Sequence, residues 1–453
     1  MKILFAAHQF FPEHYAGTEV LTLGLAKELK ARGHDPHVFA ARRSFPVNDI
    51  QPGETVDYEY EGIPVRRVGR PREGLARPYA LDYDNPVMAQ RAREYVREVE
   101  PDIIHAMHFQ GLSASVIEVF KESGAPVVYT ATDFWSICPV VDLRRHDGVM
   151  CRGPELKHCI RCIASRYPGS RMKAALDRTP DALVQAAGKL SETSLSQAFR
   201  PLRQVEALKE RPDKIREAAN TLDHVIAPTE LTRDLLVANG VKGRSMEVSH
   251  YGIDTSGTRD APKNHNVPPP LRVGFIGTLG PHKGCDLLIK AFEKLPDLDA
   301  TLTIYGNLER FKSFVSGLRR LAGGDERITF AGTFPPEEIG RVLSGMEVLV
   351  VPSRWYENTP LVVYSAFAAG TPVVATDLGG LSEVVRPGEN GLLFELENEE
   401  DLARQLRRLY EEPGLLEKLR SGIGPVKTVE ENADELEKLY ATLLDDTGRV
   451  DAG

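Results

Sequence analysis

The chain has 453 residues, enough for two or three domains with cores of their own. Its net charge is −9, and its charged residues (27%) alternate in sign, so the overall surface gives no basis for binding a polyanion such as nucleic acid. No apolar run reaches the roughly 18 residues of a membrane span, and the opening MKILFAAHQFFPEHYAG reads as a buried first strand rather than a signal peptide, which points to the cytoplasm.

Lys2–Ala7 is an apolar run with the character of a fully buried strand. A polar and aromatic loop over 8–16 follows, and Gly17-Thr18-Glu19 opens a helix that runs to about Arg32 and stops at Gly33. Strand, loop and helix put Gly17 at the carboxyl edge of a sheet, where doubly wound folds hold ligands. A tight turn explains the same glycine.

Further strands are expected over 36–40, Ile103–Ala106 and 126–130, with helical stretches between them, the alternation of a parallel α/β sheet. Asp82-Tyr83-Asp84 has the paired carboxylates that suit a hard cation. It sits beside Asn85-Pro86 without a glycine cradle and reads as a solvated loop. Thr130-Ala131-Thr132-Asp133-Phe134-Trp135 follows a strand, which places Asp133 at the sheet's carboxyl edge, where a carboxylate would accept from a ligand hydroxyl.

Of the chain's five cysteines, Cys138, Cys151, Cys159 and Cys162 fall together, with 12, 7 and 2 residues between them. Four thiolates would close a tetrahedral structural zinc site; reduced thiols and disulfides fit the same spacing. The segment 171–220 is rich in helix formers, with prolines at 180, 201 and 212, and reads as two or three helices. Such an addition packs on its domain, covers a ligand groove or touches a membrane face.

The polar, proline-rich stretch 256–270 is the clearest boundary. The pattern then restarts with a strand over 272–276, a glycine-rich loop over 277–284 and a helix over 286–295. The loop has neither dinucleotide nor Walker spacing, yet it offers N–H groups and Lys283 where phosphates would sit. A lysine at a helix start opposes the helix dipole unless an anion is present. Strands over 301–305 and 328–331 end at Gly306 and Gly332. The strand Val348–Val351 leads into RWYENTPLVVYSAFAAGTPVVATDLGGLSEVV, where Asn358 or Thr359 would cap a helix opening at Pro360 and closed by Gly370. A second strand over 372–375 precedes the Gly379-Gly380 turn and another helix. Two helix N-termini at the ends of adjacent strands make an anion site, with Glu357 at its mouth. A carboxylate there accepts from hydroxyls, or simply complements the dipole.

This last stretch resembles the donor site of the retaining nucleotide-sugar glycosyltransferases of family four, which have the GT-B fold. The resemblance covers most of the chain and is most specific over 272–394. It implies two facing Rossmann-like, doubly wound parallel-sheet domains. These are an acceptor domain over 1–255 (with the Cys-rich loop 138–162 and the helical segment 171–220), a linker over 256–270, a donor domain over 271–428, and a helix and tail over 429–453. The terminal helix is expected to cross back to the first domain.

By resemblance, Gly17, Thr278, Lys283, Gly306, Gly332, Glu357, Asn358, Thr359, Pro360, Leu361, Val362 and Ser365 line the donor site. Glu357, Lys283 and Asp133 carry the chemistry. The family has a second Glu where this chain has Ser365, a His where it has Thr132 and often an Arg where it has Thr278. The implied activity is transfer of a sugar, with retention and without a metal cofactor, from a UDP- or GDP-sugar to a hydroxyl of a glycan, lipid-linked saccharide or small molecule. Peripheral contact with the inner membrane face would suit a lipid-linked acceptor. The three departures also admit a catalytically degenerate nucleotide-sugar-binding or scaffold subunit. An epimerase of this fold would need more carboxylates than Glu357 and Asp133.

Overall fold

The structure, a computed structural model, describes residues 1–13, 16–42, 50–70, 79–165, 179–191, 193, 200–259, 270–358 and 360–446. Contacts divide the chain into two compact units, one of Met1–His250 with the C-terminal stretch from Glu430, the other of Tyr251–Val429.

Unit 1 is built on strands β1 (Lys2–Ala7), β2 (Asp35–Arg42), β3 (Thr55–Tyr60), β4 (Ile63–Gly69), β5 (Ile103–Ala106), β6 (Val127–Thr130), β7 (His224–Ala227) and β8 (Met246–Val248). Their order is β3-β4-β2-β1-β5-β6-β7-β8, parallel except for β3 against β4. The hairpin β3–β4 lies between two expected strands, where only helical stretches were expected and no strand was assigned. Its turn is Glu61-Gly62, both with positive φ, which matches the twist of a tight two-residue hairpin. From β1 the chain moves outward through the helix Gly17–Ala31 to β2, and the helix Pro86–Val99 brings it back to β5 on the other side of β1. Strand order therefore reverses between β1 and β5, the place where open α/β sheets leave a crevice at their carboxyl ends.

Unit 2 is a parallel sheet of β9 (Leu271–Ile276), β10 (Ala300–Tyr305), β11 (Ile328–Gly332), β12 (Val348–Val351), β13 (Val373–Thr376) and β14 (Gly391–Phe394), in the order β11-β10-β9-β12-β13-β14. Val348 and Val350 face one hydrophobic cluster, Leu349 and Val351 the other. Both faces of β12 are covered by helices, and the side-chain alternation of a strand then demands an unbroken apolar run. The reversal here lies between β9 and β12.

Several local expectations are corrected. Asp82 is buried, not solvated: its carboxylate takes the Arg211 guanidinium at 2.9 Å, and Arg211 also donates to the Trp135 carbonyl and lies over the Trp135 ring. The helix Arg200–Ala219 runs through Pro212 rather than breaking there, while 171–178 lies outside the described residues. Ser256–Arg259, expected as linker, is a short helix of unit 2, and 260–269 lies outside the described residues. The helix Val429–Asp446 docks on unit 1 through Tyr440, whose hydroxyl meets His105 Nδ1 at 2.6 Å, and through Glu437, which accepts from Arg32 at 2.7 Å. No helix among the described residues is long and apolar enough to cross a membrane.

Candidate active site

The two loops that leave the reversal point of unit 2 meet. Lys283 ends the short turn Pro281–Lys283 after β9, and Glu357 lies in the loop after β12. Gly284 makes the approach feasible. Its φ is +70°, and a Cβ there would fall 1.9 Å from the Pro352 carbonyl oxygen. Arg354 fastens the two loops: its N–H donates to the His282 carbonyl at 2.8 Å, and its guanidinium grips Asp286 at 2.6 and 2.9 Å.

Lys283 Nζ donates to Glu357 Oε1 at 2.6 Å, and the same oxygen accepts from Ser353 Oγ at 2.5 Å and Trp355 Nε1 at 2.8 Å. None of the hydrogen bonds among the described residues falls on Oε2. Burial alone would raise the Glu357 carboxyl, but the Lys283 charge and the three hydrogen bonds outweigh it and hold the group below its ordinary value. The Lys283 ammonium also sits 5.2 Å from the Trp355 ring centre, a cation–π distance. The dipole conflict noted for Lys283 is thus answered inside the protein, by Glu357.

The other unit 2 residues expected at a donor site follow its strand ends or open the helix after Glu357. Thr278, Gly306 and Gly332 sit at or just past the carboxyl ends of β9, β10 and β11, and Gly306 N–H donates to the Gly332 carbonyl at 2.8 Å. The helix after Glu357 is Leu361–Ala368. Its N-cap is Pro360, in extended conformation, with no side-chain cap. Pro360 therefore precedes the first turn instead of filling it, Asn358 does not cap the helix, and Thr359 lies outside the described residues. Leu361 and Val362 supply the first-turn N–H groups, which have no partner within a helix. Ser365 Oγ donates back to the Leu361 carbonyl at 3.1 Å.

In unit 1, Gly17 is the exposed first residue of its helix, and the Glu19 carboxylate reaches back to accept from the Ala16 N–H at 2.7 Å. Thr132 Oγ1 donates to the Met107 carbonyl at 2.6 Å. Asp133 Oδ1 accepts from the Trp135 N–H at 2.9 Å, and Oδ2 lies 2.5 Å from His108 Nε2. His8, which follows β1, packs on His108, which follows β5, with ring centres 4.2 Å apart. Burial lifts the Glu19 carboxyl above its ordinary value, against the hydrogen bonds that lower it.

Cys138, Cys151, Cys159 and Cys162 line a single cavity of about 20 Å³. No group of three or more His, Cys, Asp or Glu side chains among the described residues is arranged as a metal site. All four are free thiols; burial first, then their neighbours, pushes Cys159 up to about 12 and Cys162 to about 11.

Two family models divide the chain. One described as "Glycosyl transferases group 1" matches 258–423, and one described as "Glycosyltransferase Family 4" matches 15–150. The chain belongs to glycosyltransferase family four. Its fold is GT-B, with two Rossmann-like parallel-sheet units.

Curated relatives in the family include the D-inositol 3-phosphate glycosyltransferase of Pseudarthrobacter chlorophenolicus, 33% identical over 203 residues, 39% of this chain and 48% of the relative. The enzyme of that name from Streptomyces bingchenggensis is 34% identical over 223 residues, 44% of this chain and 48% of the relative. The chain thus spans about half the length of the curated relatives it matches. Among solved structures, sucrose-phosphate synthase from Thermosynechococcus elongatus aligns with TM-score 0.64 and 20% identity over 98% of this chain and 99% of its own. The Anabaena HepE protein in complex with UDP and glucose aligns with TM-score 0.64 and 18% identity over 98% of this chain and 100% of its own. At these identities the structures speak for the fold alone.

Within this family-four chain the structure brings Lys283 and Glu357 together, which the sequence placed only at separate turns. Sequence reasoning missed Ser353 and the Trp355 indole as partners of Glu357, and Arg354 as the clamp. It also missed His8 and His108, although each follows a buried strand within two residues. A polar ring directly after an apolar strand was the available signal.

Proposed function

We propose that the chain transfers a sugar from a nucleotide diphosphate-sugar to a hydroxyl acceptor. The observation that carries this is the Lys283–Glu357 pair at the reversal point of unit 2, a cation and a carboxylate 2.6 Å apart. The cation suits a diphosphate, and the carboxylate suits the hydroxyls of the sugar joined to it. As the sugar–phosphate bond breaks, negative charge grows on the diphosphate. Lys283 and the first-turn N–H groups of Leu361 and Val362 stabilise that charge, and losing one such contact costs about 3–4 kcal/mol of transition-state stabilisation. With these groups in place no metal is needed for the transfer.

Retention is part of the proposal: the departing phosphate takes the acceptor's proton on the face it leaves. UDP- and GDP-sugars are the proposed donors, in line with the UDP and glucose held by HepE. The acceptor is a hydroxyl of a glycan, lipid-linked saccharide or polyol. Contact with a membrane face would go with the lipid-linked case, and inositol phosphate belongs in the acceptor screen because of the relatives' names.

Turnover of a donor with EDTA present is the expected result. Wild-type rates from Glu357→Ala would overturn the assignment of the site. Structural zinc on the four cysteines is proposed separately: metal analysis near one zinc per chain would support it, and a value well below one would remove it.

A further inference from the structure

The helix Arg200–Ala219 carries a charge into the interior that the proposed transfer leaves without a use. Arg211 and Asp82 form an ion pair at 2.9 Å, with side chains 2% and 3% exposed. Stability does not account for such a pair. Its charges give up their hydration, and apolar residues of similar volume often serve a fold as well or better. The pair is better explained by what else it holds.

Arg211 holds Trp135. Its Nη2 donates to the Trp135 carbonyl at 2.7 Å, and the guanidinium carbon lies 5.4 Å from the Trp135 ring centre. Residues 131–138 form neither helix nor strand, so no ladder fixes this backbone. Within the turn, the Phe134 carbonyl accepts from the N–H groups of Ile137 and Cys138 at 3.0 and 2.7 Å, and the Trp135 carbonyl goes to Arg211 instead. At its other end Trp135 donates its N–H to Asp133 Oδ1 at 2.9 Å. One residue thereby joins a buried guanidinium to a carboxylate three residues past β6. The second oxygen of that carboxylate, Oδ2, stands 2.5 Å from His108 Nε2. A shift of Trp135 would carry Oδ1 with it and take Oδ2 off His108.

We infer that Arg211 is a positioning residue for Asp133. Asp82 holds the guanidinium, the guanidinium fixes Trp135, and Trp135 orients the carboxylate at the carboxyl edge of the unit 1 sheet. Arg211 itself, buried beneath Trp135, acts through that residue alone. The inference deepens the proposed transfer and rests on it for the work that Asp133 does; the positioning itself does not depend on turnover.

The test is the double variant Asp82→Leu with Arg211→Met in the full chain, which removes both charges together. The chain has two tryptophans, so isotope labelling of tryptophan nitrogen gives two backbone amides, and Trp355→Phe assigns that of Trp135. Asp133→Asn marks the amide shift seen when the acceptor loses its charge. The double variant is expected to unfold cooperatively and to keep the wild-type affinity for UDP. Its Trp135 amide should move toward the Asp133→Asn shift and exchange with solvent about tenfold faster, the loss of one hydrogen bond. Donor turnover should fall about 100-fold, the effect of misplacing a reacting group by about 1 Å. A pair that serves stability alone would leave amide and turnover at wild-type values once the fold is recovered, and that result would overturn the inference. So would a displaced amide with undiminished turnover. Should the double variant fail to fold, Arg211→Lys keeps a charge opposite Asp82 without the planar fork that also reaches Trp135, and the same readings apply. A wild-type chain that turns over no donor would sink the transfer reading, and the Trp135 amide would then decide the positioning by itself.

Discussion

Lys283 and Glu357 sit 2.6 Å apart on loops from the two strands that flank the reversal point of unit 2, so the proposed diphosphate cation is already occupied by the proposed sugar carboxylate. A diphosphate must compete with Glu357 for Lys283, and success removes one of the three donors on Glu357 Oε1, leaving those of Ser353 and Trp355. Donor binding and the accepting capacity of the sugar-recognising carboxylate are thereby linked.

This linkage gives Glu357→Gln opposite effects on two measurements. With the competing carboxylate gone, UDP should bind roughly tenfold tighter or more, the worth of a charged hydrogen bond. Sugar transfer should fall at the same time. Calorimetry with UDP and a rate assay on one preparation test both; weaker UDP binding would contradict the competition. Lys283→Ala is the less informative variant, because it leaves Glu357 buried and unpaired, at about 3–5 kcal/mol of stability.

The pH dependence of stability follows from the depressed Glu357 carboxyl. The folded state releases this proton at lower pH than the unfolded chain, whose ordinary value is 4.5. The contribution is therefore fully present above that value and is lost as pH falls through the lower folded value. Denaturant unfolding below pH 4.5 should show a shallower acid loss in Glu357→Gln than in wild type. Equal slopes would mean the group is not depressed.

Gly284→Ala tests the meeting of the two loops. The new methyl would press on the Pro352 carbonyl at a φ of +70°, so the loops must part. Strain of about 1–3 kcal/mol and a clash on top of it are expected. Thermal unfolding should shift down by several degrees and UDP affinity should change with it. An unshifted melting curve would show that the loops do not depend on this contact.

The buried pair Asp82–Arg211 should behave as paired charges do. Arg211→Met strands Asp82 and should cost about 3–5 kcal/mol, while adding Asp82→Leu should recover much of it. Fluorescence of Trp135, under the guanidinium, reports the transition.

Much of this architecture was legible in the chain because fully buried strands of a parallel sheet need continuous apolar runs: Lys2–Ala7 and Val348–Val351 were placed to the residue. The hairpin Thr55–Tyr60 with Ile63–Gly69 was not, since its outer strand is half solvated and mixes charged with aromatic residues. Asp82 read as a solvated loop because its partner, Arg211, is 129 residues away. Glu357 and Lys283 could be singled out as candidate site residues from their turns. Their mutual bond was not, because strand order, which decides which turns become neighbours, is not written in local pattern. The same applies to His8 and His108.

The donor screen tests the central claim most directly: calorimetry of the full chain with UDP-, GDP- and ADP-sugars, with donor hydrolysis followed by NMR in the same tubes. Binding of a UDP- or GDP-sugar is expected, with slow release of a sugar whose anomeric configuration is that of the donor, and Lys283→Ala should weaken it. No binding of any of them at millimolar concentration would contradict it.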